Sequence, residues 1–199
     1  MGSLQTKIQI WNMALDLLRE QPLSSVSDTT ATARWLTRNY DQQRDYLTEL
    51  FPWRHALARS EIAADATAPD WGWSYRYLMP TDALRILQPT LDGSWSGTLI
   101  PYEIEGLYLM CDVAGPLRLR HINRVTNEGY FSNGFCEVLS QRLALRMAHW
   151  LTGKQSMMSE LRDLYTATFA EAKQNEAVQV TADTYYDTDI LYQRGEFSG

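Results

Sequence analysis

The chain is poor in the residues that build disulfide frameworks and metal sites. Its two cysteines, Cys111 and Cys136, are too few for a disulfide framework, and we expect both to be reduced thiols. No two of its three histidines, His55, His121 and His149, stand four residues apart, and no CxxC motif occurs. A metal site would need ligands gathered from distant segments, so we expect no metal.

Phosphate-binding loops, long hydrophobic runs and an excess of positive charge are also missing. Gly93, Gly97 and Gly106 fit neither a Walker loop nor a dinucleotide fingerprint, so we expect no cofactor. No apolar run is long enough to span a membrane, and we expect no membrane partner. The net charge of −6 disfavours wrapping of nucleic acid.

Helical periodicity is the strongest pattern that is present. Apolar residues recur three or four positions apart in four segments, which predicts helices over about 5–20, 28–50, 134–152 and 156–177. Asp28 and Asn133 are candidate N-caps, and Gly153 is a candidate stop for the third helix. Because short links favour antiparallel neighbours, we expect two helical hairpins packed as a four-helix bundle.

Between the hairpins the pattern changes to that of strands. Trp71, Trp73, Tyr75 and Tyr77 alternate along the chain, which is the period of one strand face. Strands are predicted near 54–63, 73–79, 100–105, 107–112 and 117–123. The predicted fold is therefore α+β: a mainly α four-helix bundle with a small antiparallel β-layer inserted over about 54–123.

The last residues differ from the rest. Residues 178–199 mix Thr, Asp, Tyr and Gly without a helical period, and we expect an extended arm that orders on a partner. The predicted organisation is one domain, 1–177, followed by this arm. Exposed aromatic side chains in a polar, acidic arm are typical of docking residues.

The possible catalytic groups have ordinary structural explanations. Cys136 lies near a helix N-terminus, but the base it would need, His149, is more than three turns away on the same helix. Glu103 and Glu105 share a strand face, which meets the spacing of a glycosidase pair but supplies no cleft. We therefore expect no catalytic residues.

Three basic residues fall on one face of the third predicted helix. Arg142, Arg146 and His149 stand at i, i+4 and i+7. This face either contacts a neighbouring subunit or a DNA channel, or is a solvated helix face. Arginine favours interface ion pairs, which keeps the first reading open.

Several motifs together resemble one protein family. These are Pro52-Trp53 with His55-Ala56-Leu57, the run from Tyr75 to Ile86 (YRYLMPTDALRI), and the helix from Phe135 to Leu151. In order and spacing over roughly residues 5–177, the chain resembles the tail tubular protein A family, the head-to-tail adaptors of short-tailed bacteriophages.

The resemblance implies a structural virion protein rather than an enzyme. Such adaptors form a ring of twelve copies between the portal protein and the tail nozzle protein, at the portal vertex of the virion. Double-stranded DNA passes through the ring without sequence-specific binding, and the ring helps to retain and then eject the genome.

The resemblance also suggests where the partners bind. The arm would grip the portal, and the loop Leu91–Gly97 would face the nozzle through Asp92, Ser94 and Trp95. Its candidate portal anchors are Tyr185, Tyr186, Leu191, Tyr192 and Phe197. Two alternatives stay open: a head-completion connector of a long-tailed phage, and a tail-associated peptidoglycan hydrolase.

Overall fold

The computed structural model describes residues 5–91, 100–151 and 153–178. Within these ranges the fold is α+β, with four α-helices and two three-stranded antiparallel sheets. The chain divides into two compact units. Among the described residues, one unit combines those up to Leu47 with those from Val125 to Val178 and is helical. The other, Thr48–Arg124, contains both sheets.

The prediction of a four-helix bundle with one small inserted β-layer is wrong. The β residues make two sheets and form a compact unit of their own rather than a layer on a bundle. Helical periodicity correctly indicated four helices, but it does not specify which faces meet. The pairing of two hairpins into a bundle was an assumption about packing that the sequence pattern could not test.

The bounds of the four helices lie within three residues of the predicted ones. They are α1 (Lys7–Leu17), α2 (Ala31–Leu50), α3 (Asn133–Leu151) and α4 (Gln155–Val178). Helix α3 packs closely against both α1 and α4. It is buried over most of its circumference, as expected of a central helix. Its buried apolar residues are Phe135, Cys136, Val138, Leu139, Leu143, Ala144, Met147 and Ala148.

The residues that start α2 and end α1 differ from the predicted ones. Thr30, not Asp28, caps α2, because the Ala33 N–H donates to Thr30 Oγ1 at 3.1 Å. The Asp28 carboxylate instead accepts the Ser24 N–H at 2.9 Å and closes the preceding turn. Helix α1 ends at Leu17, and Arg19 takes a left-handed φ of 58° two residues later.

The ends of α3 follow the predicted chemistry with a shift of one residue. Ser132 precedes the helix, and its Oγ accepts the Phe135 N–H at 3.3 Å, so Ser132 rather than Asn133 is the cap. At the other end Gly153 takes φ +60 and donates its N–H to the Ala148 carbonyl at 3.3 Å. This confirms Gly153 as the residue that stops the helix.

Six strands make up the two sheets. They are β1 (Leu57–Ile62), β2 (Tyr75–Leu78), β3 (Ala83–Thr90), β4 (Glu103–Glu105), β5 (Tyr108–Cys111) and β6 (Leu117–Asn123). The first sheet has the order β1-β6-β3 and the second has the order β2-β5-β4. Short 3-10 turns precede β1 at Arg54–Ala56 and α3 at Glu128–Tyr130.

Strand β3 was not predicted from the sequence. Its register against β6 shifts between Ala83 and Arg85 and again between Ile86 and Gln88, which disrupts the strict alternation that marks a strand. Pro89 lies within it, and a proline normally argues against a strand interior. Because β3 is an edge strand, these irregularities are tolerated.

The two sheets share one core within the second unit. Tyr77, Leu109 and Cys111 of the second sheet join Ile86, Leu117 and Leu119 of the first in a single buried cluster. The predicted strand face of four alternating aromatics is only partly correct. Strand β2 begins at Tyr75, and Trp71 lies outside it with 87% of its surface exposed.

Candidate functional site

The structure describes only part of the set of candidate site residues. The proposed portal anchors Tyr185, Tyr186, Leu191, Tyr192 and Phe197 lie outside the described residues, and so do Asp92, Ser94 and Trp95 of the proposed nozzle-facing loop. Arg142, Arg146 and His149 of α3 are described. Their side chains differ sharply in environment.

Arg142 is partly buried within the helical unit. Its Nε donates to Gln43 Oε1 of α2 at 2.9 Å, and its Nη1 donates to the Tyr165 hydroxyl of α4 at 3.4 Å. The guanidinium carbon lies 4.1 Å from the ring centroid of Tyr46. Through these contacts Arg142 connects α3 with α2 and α4.

The partner of Arg142 explains an irregularity in the sequence. Gln43 interrupts the apolar stripe of α2 and is nevertheless only 4% exposed. A buried amide needs a hydrogen-bond partner, and the Arg142 guanidinium supplies it. The polar residue in an apolar stripe was the sequence signal for this contact, but the pattern alone did not identify the partner.

Arg146 and His149 are exposed and make a different surface. Both side chains face solvent near the C-terminal end of α3. Trp150, four residues after Arg146, is 49% exposed on the same side of the helix. We call Arg146, His149 and Trp150 the α3 end surface. Positive charge here also complements the negative end of the helix dipole.

Trp150 was not identified from the sequence as a surface residue. The signal was present, because the buried stripe of α3 runs through Leu143 and Met147, and Trp150 does not continue it. A large exposed aromatic beside two basic groups is typical of a contact surface. The three basic residues of α3 therefore differ in burial: Arg142 packs against other helices, whereas Arg146 and His149 are exposed.

A second polar cluster lies between α1, α2 and the turn before α3. The Tyr40 hydroxyl donates to Glu128 Oε1 at 3.2 Å, and the Lys7 ammonium lies 4.5 Å from the Tyr40 ring centroid. Burial, with the Glu128 carboxylate nearby, raises the pKa of Tyr40 well above its usual range. A phenol held protonated in this way is a hydrogen-bond donor in the helical unit.

The first sheet contains a buried histidine. His121 Nε2 lies 3.0 Å from Ser60 Oγ, and the histidine is only 2% exposed. Burial lowers the pKa of His121, which favours the neutral ring. A serine next to a histidine is also a nucleophile arrangement, but a buried imidazole cannot meet a substrate from solvent.

Cys111 and Cys136 are both buried, and no disulfide joins them. Burial raises the pKa of the Cys111 thiol, which makes it a poor nucleophile. Cys136 lies one turn into α3 among buried apolar side chains. Across the ranges that the structure describes, no three His, Cys, Asp or Glu side chains come together as a possible metal site.

The two strand carboxylates stand on an edge rather than in a cleft. Glu103 and Glu105 are the first and last residues of β4, and both are exposed. The Trp73 indole N–H donates to Glu103 Oε2 at 3.1 Å. This confirms that they share a solvated strand face.

No helix within residues 5–91, 100–151 and 153–178 combines the length and the apolar character needed to cross a bilayer. No protein-family model matches the chain, and the search of curated proteins found no match either.

Proposed function

We propose that this protein is a head-to-tail adaptor of a short-tailed bacteriophage. The observation that carries the proposal is the order of motifs over residues 5–177, from Pro52-Trp53 through the run ending at Ile86 to the helix Phe135–Leu151. In this proposal the protein is a structural, non-enzymatic ring component of the virion, between the portal protein and the tail nozzle protein.

The chain organisation is compatible with that role. A helical unit made from the two ends of the chain provides a rigid wall element, and the β unit is inserted between them in sequence. Closed rings of identical subunits gain affinity from many repeated contacts, each of which can be weak. A dodecamer would repeat every exposed contact residue twelve times around the DNA channel.

The α3 end surface supports the proposal because it offers groups for a neighbour. Arg146, His149 and Trp150 are exposed, whereas Arg142 is already engaged within the subunit. We therefore assign Arg146 and His149, and not Arg142, to the subunit interface or to the channel wall. Double-stranded DNA would pass this wall without sequence-specific contacts.

The portal grip is assigned to the arm that follows α4. Tyr185, Tyr186, Leu191, Tyr192 and Phe197 would insert into the portal, and large aromatic side chains commonly dominate such contacts. Asp92, Ser94 and Trp95 would meet the nozzle. These assignments rest on residue type and on the resemblance.

Electron microscopy of portal-bearing, tail-less heads mixed with the purified protein tests the proposal directly. We expect a new ring of density at the portal vertex. A variant truncated after Val178 keeps all of α4 and should leave the vertex bare, while its circular dichroism stays that of the full chain. If heads mixed with the full chain show no added density, the adaptor assignment is wrong for that portal.

Two matched variants test whether attachment to the portal requires the aromatic side chains or only the presence of the arm. Replacing Tyr185, Tyr186 and Tyr192 by serine should abolish attachment. Replacing Asp183 and Asp187 by asparagine alters the same segment without removing an aromatic, and attachment should persist. Equal loss in both variants would contradict the anchor assignment.

A further inference from the structure

Strand β4 is an open edge of the second sheet. It pairs with β5 alone among the described residues, and Ile104 stands opposite Leu109. Ile104 is 46% exposed although its partner Leu109 is fully buried. The apolar face of this sheet therefore stops abruptly at β4, with a half-uncovered side chain at its margin.

The hairpin geometry shows which way the Ile104 backbone points. Glu105 and Tyr108 close a two-residue loop in which Gly106 takes φ +60, as the first position of a type II′ turn requires. Antiparallel pairs alternate between hydrogen-bonded and non-hydrogen-bonded, so the next pair, Ile104 with Leu109, exchanges no backbone bonds.

The other side of β5 confirms this alternation. The Met79 N–H donates to the Leu107 carbonyl at 3.0 Å, which directs the Leu109 backbone groups toward β2. The N–H and C=O of Ile104 consequently point outward from the sheet, with no partner among the described residues. They are a donor and an acceptor at the spacing that an added strand would use.

The opposite edge of the same sheet is treated differently. On β2 the outward-facing Arg76 carbonyl accepts the Asp65 N–H at 2.8 Å, and Arg76 Nη2 pairs with Asp65 Oδ1 at 3.2 Å. That edge is covered by the chain's own loop. The β4 edge has no such cover, so among the described residues it is the edge of this sheet that remains available for pairing.

The side chains of β4 indicate the chemistry of a partner. Glu103 and Glu105 are exposed and flank Ile104, and neither forms an ion pair with a described residue. Directly opposed residues on neighbouring strands share a face, and opposite charges there are stabilising. A strand beside β4 would place an apolar residue against Ile104 and basic residues against the two carboxylates.

We propose that the β4 edge binds an extended segment of another protein in which basic and apolar residues alternate. The segment adds a strand to the second sheet, hydrogen-bonds to the Ile104 backbone, covers the Ile104 side chain and pairs its cations with Glu103 and Glu105. This interaction surface does not depend on the adaptor role.

A short capped peptide of alternating lysine and valine, titrated into the full chain, is the probe. We expect saturable binding, slowed hydrogen exchange of the Ile104 amide, and a shift of the Trp73 indole resonance, because Trp73 contacts Glu103. A peptide of alternating glutamate and valine should not bind. Binding of the lysine peptide with unchanged exchange at Ile104 would overturn the proposal.

Substitutions at Ile104 distinguish binding by strand addition from binding by charge attraction alone. Ile104→Pro removes only an outward N–H, which an edge strand tolerates, and should weaken binding of the lysine peptide about tenfold. Ile104→Val keeps the N–H and should bind as the parent does. Equal binding by both variants overturns the proposal. Should Ile104→Pro fail to fold, the exchange measurement on the parent chain decides alone.

Discussion

His121 Nε2 lies 3.0 Å from Ser60 Oγ inside the first sheet, where β6 and β1 pair. The imidazole is buried, and Nδ1 has no hydrogen-bond partner among the described residues. A neutral ring suits this environment, because a protonated ring would place a charge in the buried interior of the sheet. The relationship makes His121 a source of pH-dependent stability.

The free energy of unfolding should therefore fall as the pH is lowered through 6.5, the ordinary pKa of a histidine side chain. Burial lowers the pKa of His121 in the folded state, so the unfolded chain binds the proton first, and stability is lost below the unfolded pKa. Urea titrations from pH 7.5 to pH 5 would measure the loss. His121→Gln, which cannot titrate, should remove this component, and an unchanged slope would contradict the assignment.

Gly115→Ala should destabilise the β unit. A Cβ at Gly115 would lie 2.8 Å from Tyr77 Cε1 and 2.9 Å from its hydroxyl oxygen, and the Tyr77 ring is fully buried. The ring cannot move freely because its hydroxyl donates to the Val113 carbonyl at 2.7 Å. Overpacking of this kind costs about 1–3 kcal/mol, measurable by chemical denaturation.

Gly129→Ala is the matched control for that substitution. Its added Cβ meets only Asn127 Oδ1, at 3.2 Å, in an exposed turn. The free energy of unfolding should change by about 0.5 kcal/mol or less. Equal destabilisation by both substitutions would show that the contact with Tyr77 is not the cause.

Arg142→Lys should destabilise the helical unit although it keeps the charge. A lysine cannot reproduce the bond to Gln43 together with the planar contact on Tyr46, so the buried Gln43 amide loses its partner. We expect a loss of about 1–3 kcal/mol. Arg146→Lys, on the same helix but exposed, should be nearly neutral, and a similar cost at both positions would contradict the distinction.

Arg19→Gly should stabilise the protein. Arg19 is exposed and holds φ at 58°, a region that costs a residue with a Cβ about 1 kcal/mol relative to glycine. Thermal unfolding should show a higher midpoint. The same replacement at Arg38, an exposed position inside α2, should instead lower stability by about 1 kcal/mol. A decrease at both sites would show that backbone strain at Arg19 is absent.

Local patterns were the part of the fold that could be read from the residues. The i, i+4 spacing of Phe135, Leu139, Leu143 and Met147 identified the buried face of α3, and all four are fully buried. Gly153 marked its end. Strand β3 was not predicted, because two register shifts and Pro89 remove the alternation by which a strand is recognised in a sequence.

The sequence predicted only part of the candidate site. The spacing of Arg142, Arg146 and His149 correctly placed them along one helix, but spacing cannot distinguish a solvated arginine from one that another helix covers. Gln43 and Tyr165, which hold Arg142, come from distant parts of the chain. Their approach is a product of packing and leaves no local signature.

The sequence by itself determined the four helices of the described ranges and the β character of the middle of the chain. These follow from periodicity and residue chemistry, which act over a few neighbouring residues. The tertiary structure decided that the β residues form two sheets, that α3 is central and that Ile104 borders an open edge. Such features depend on contacts between distant segments, which short-range patterns do not encode.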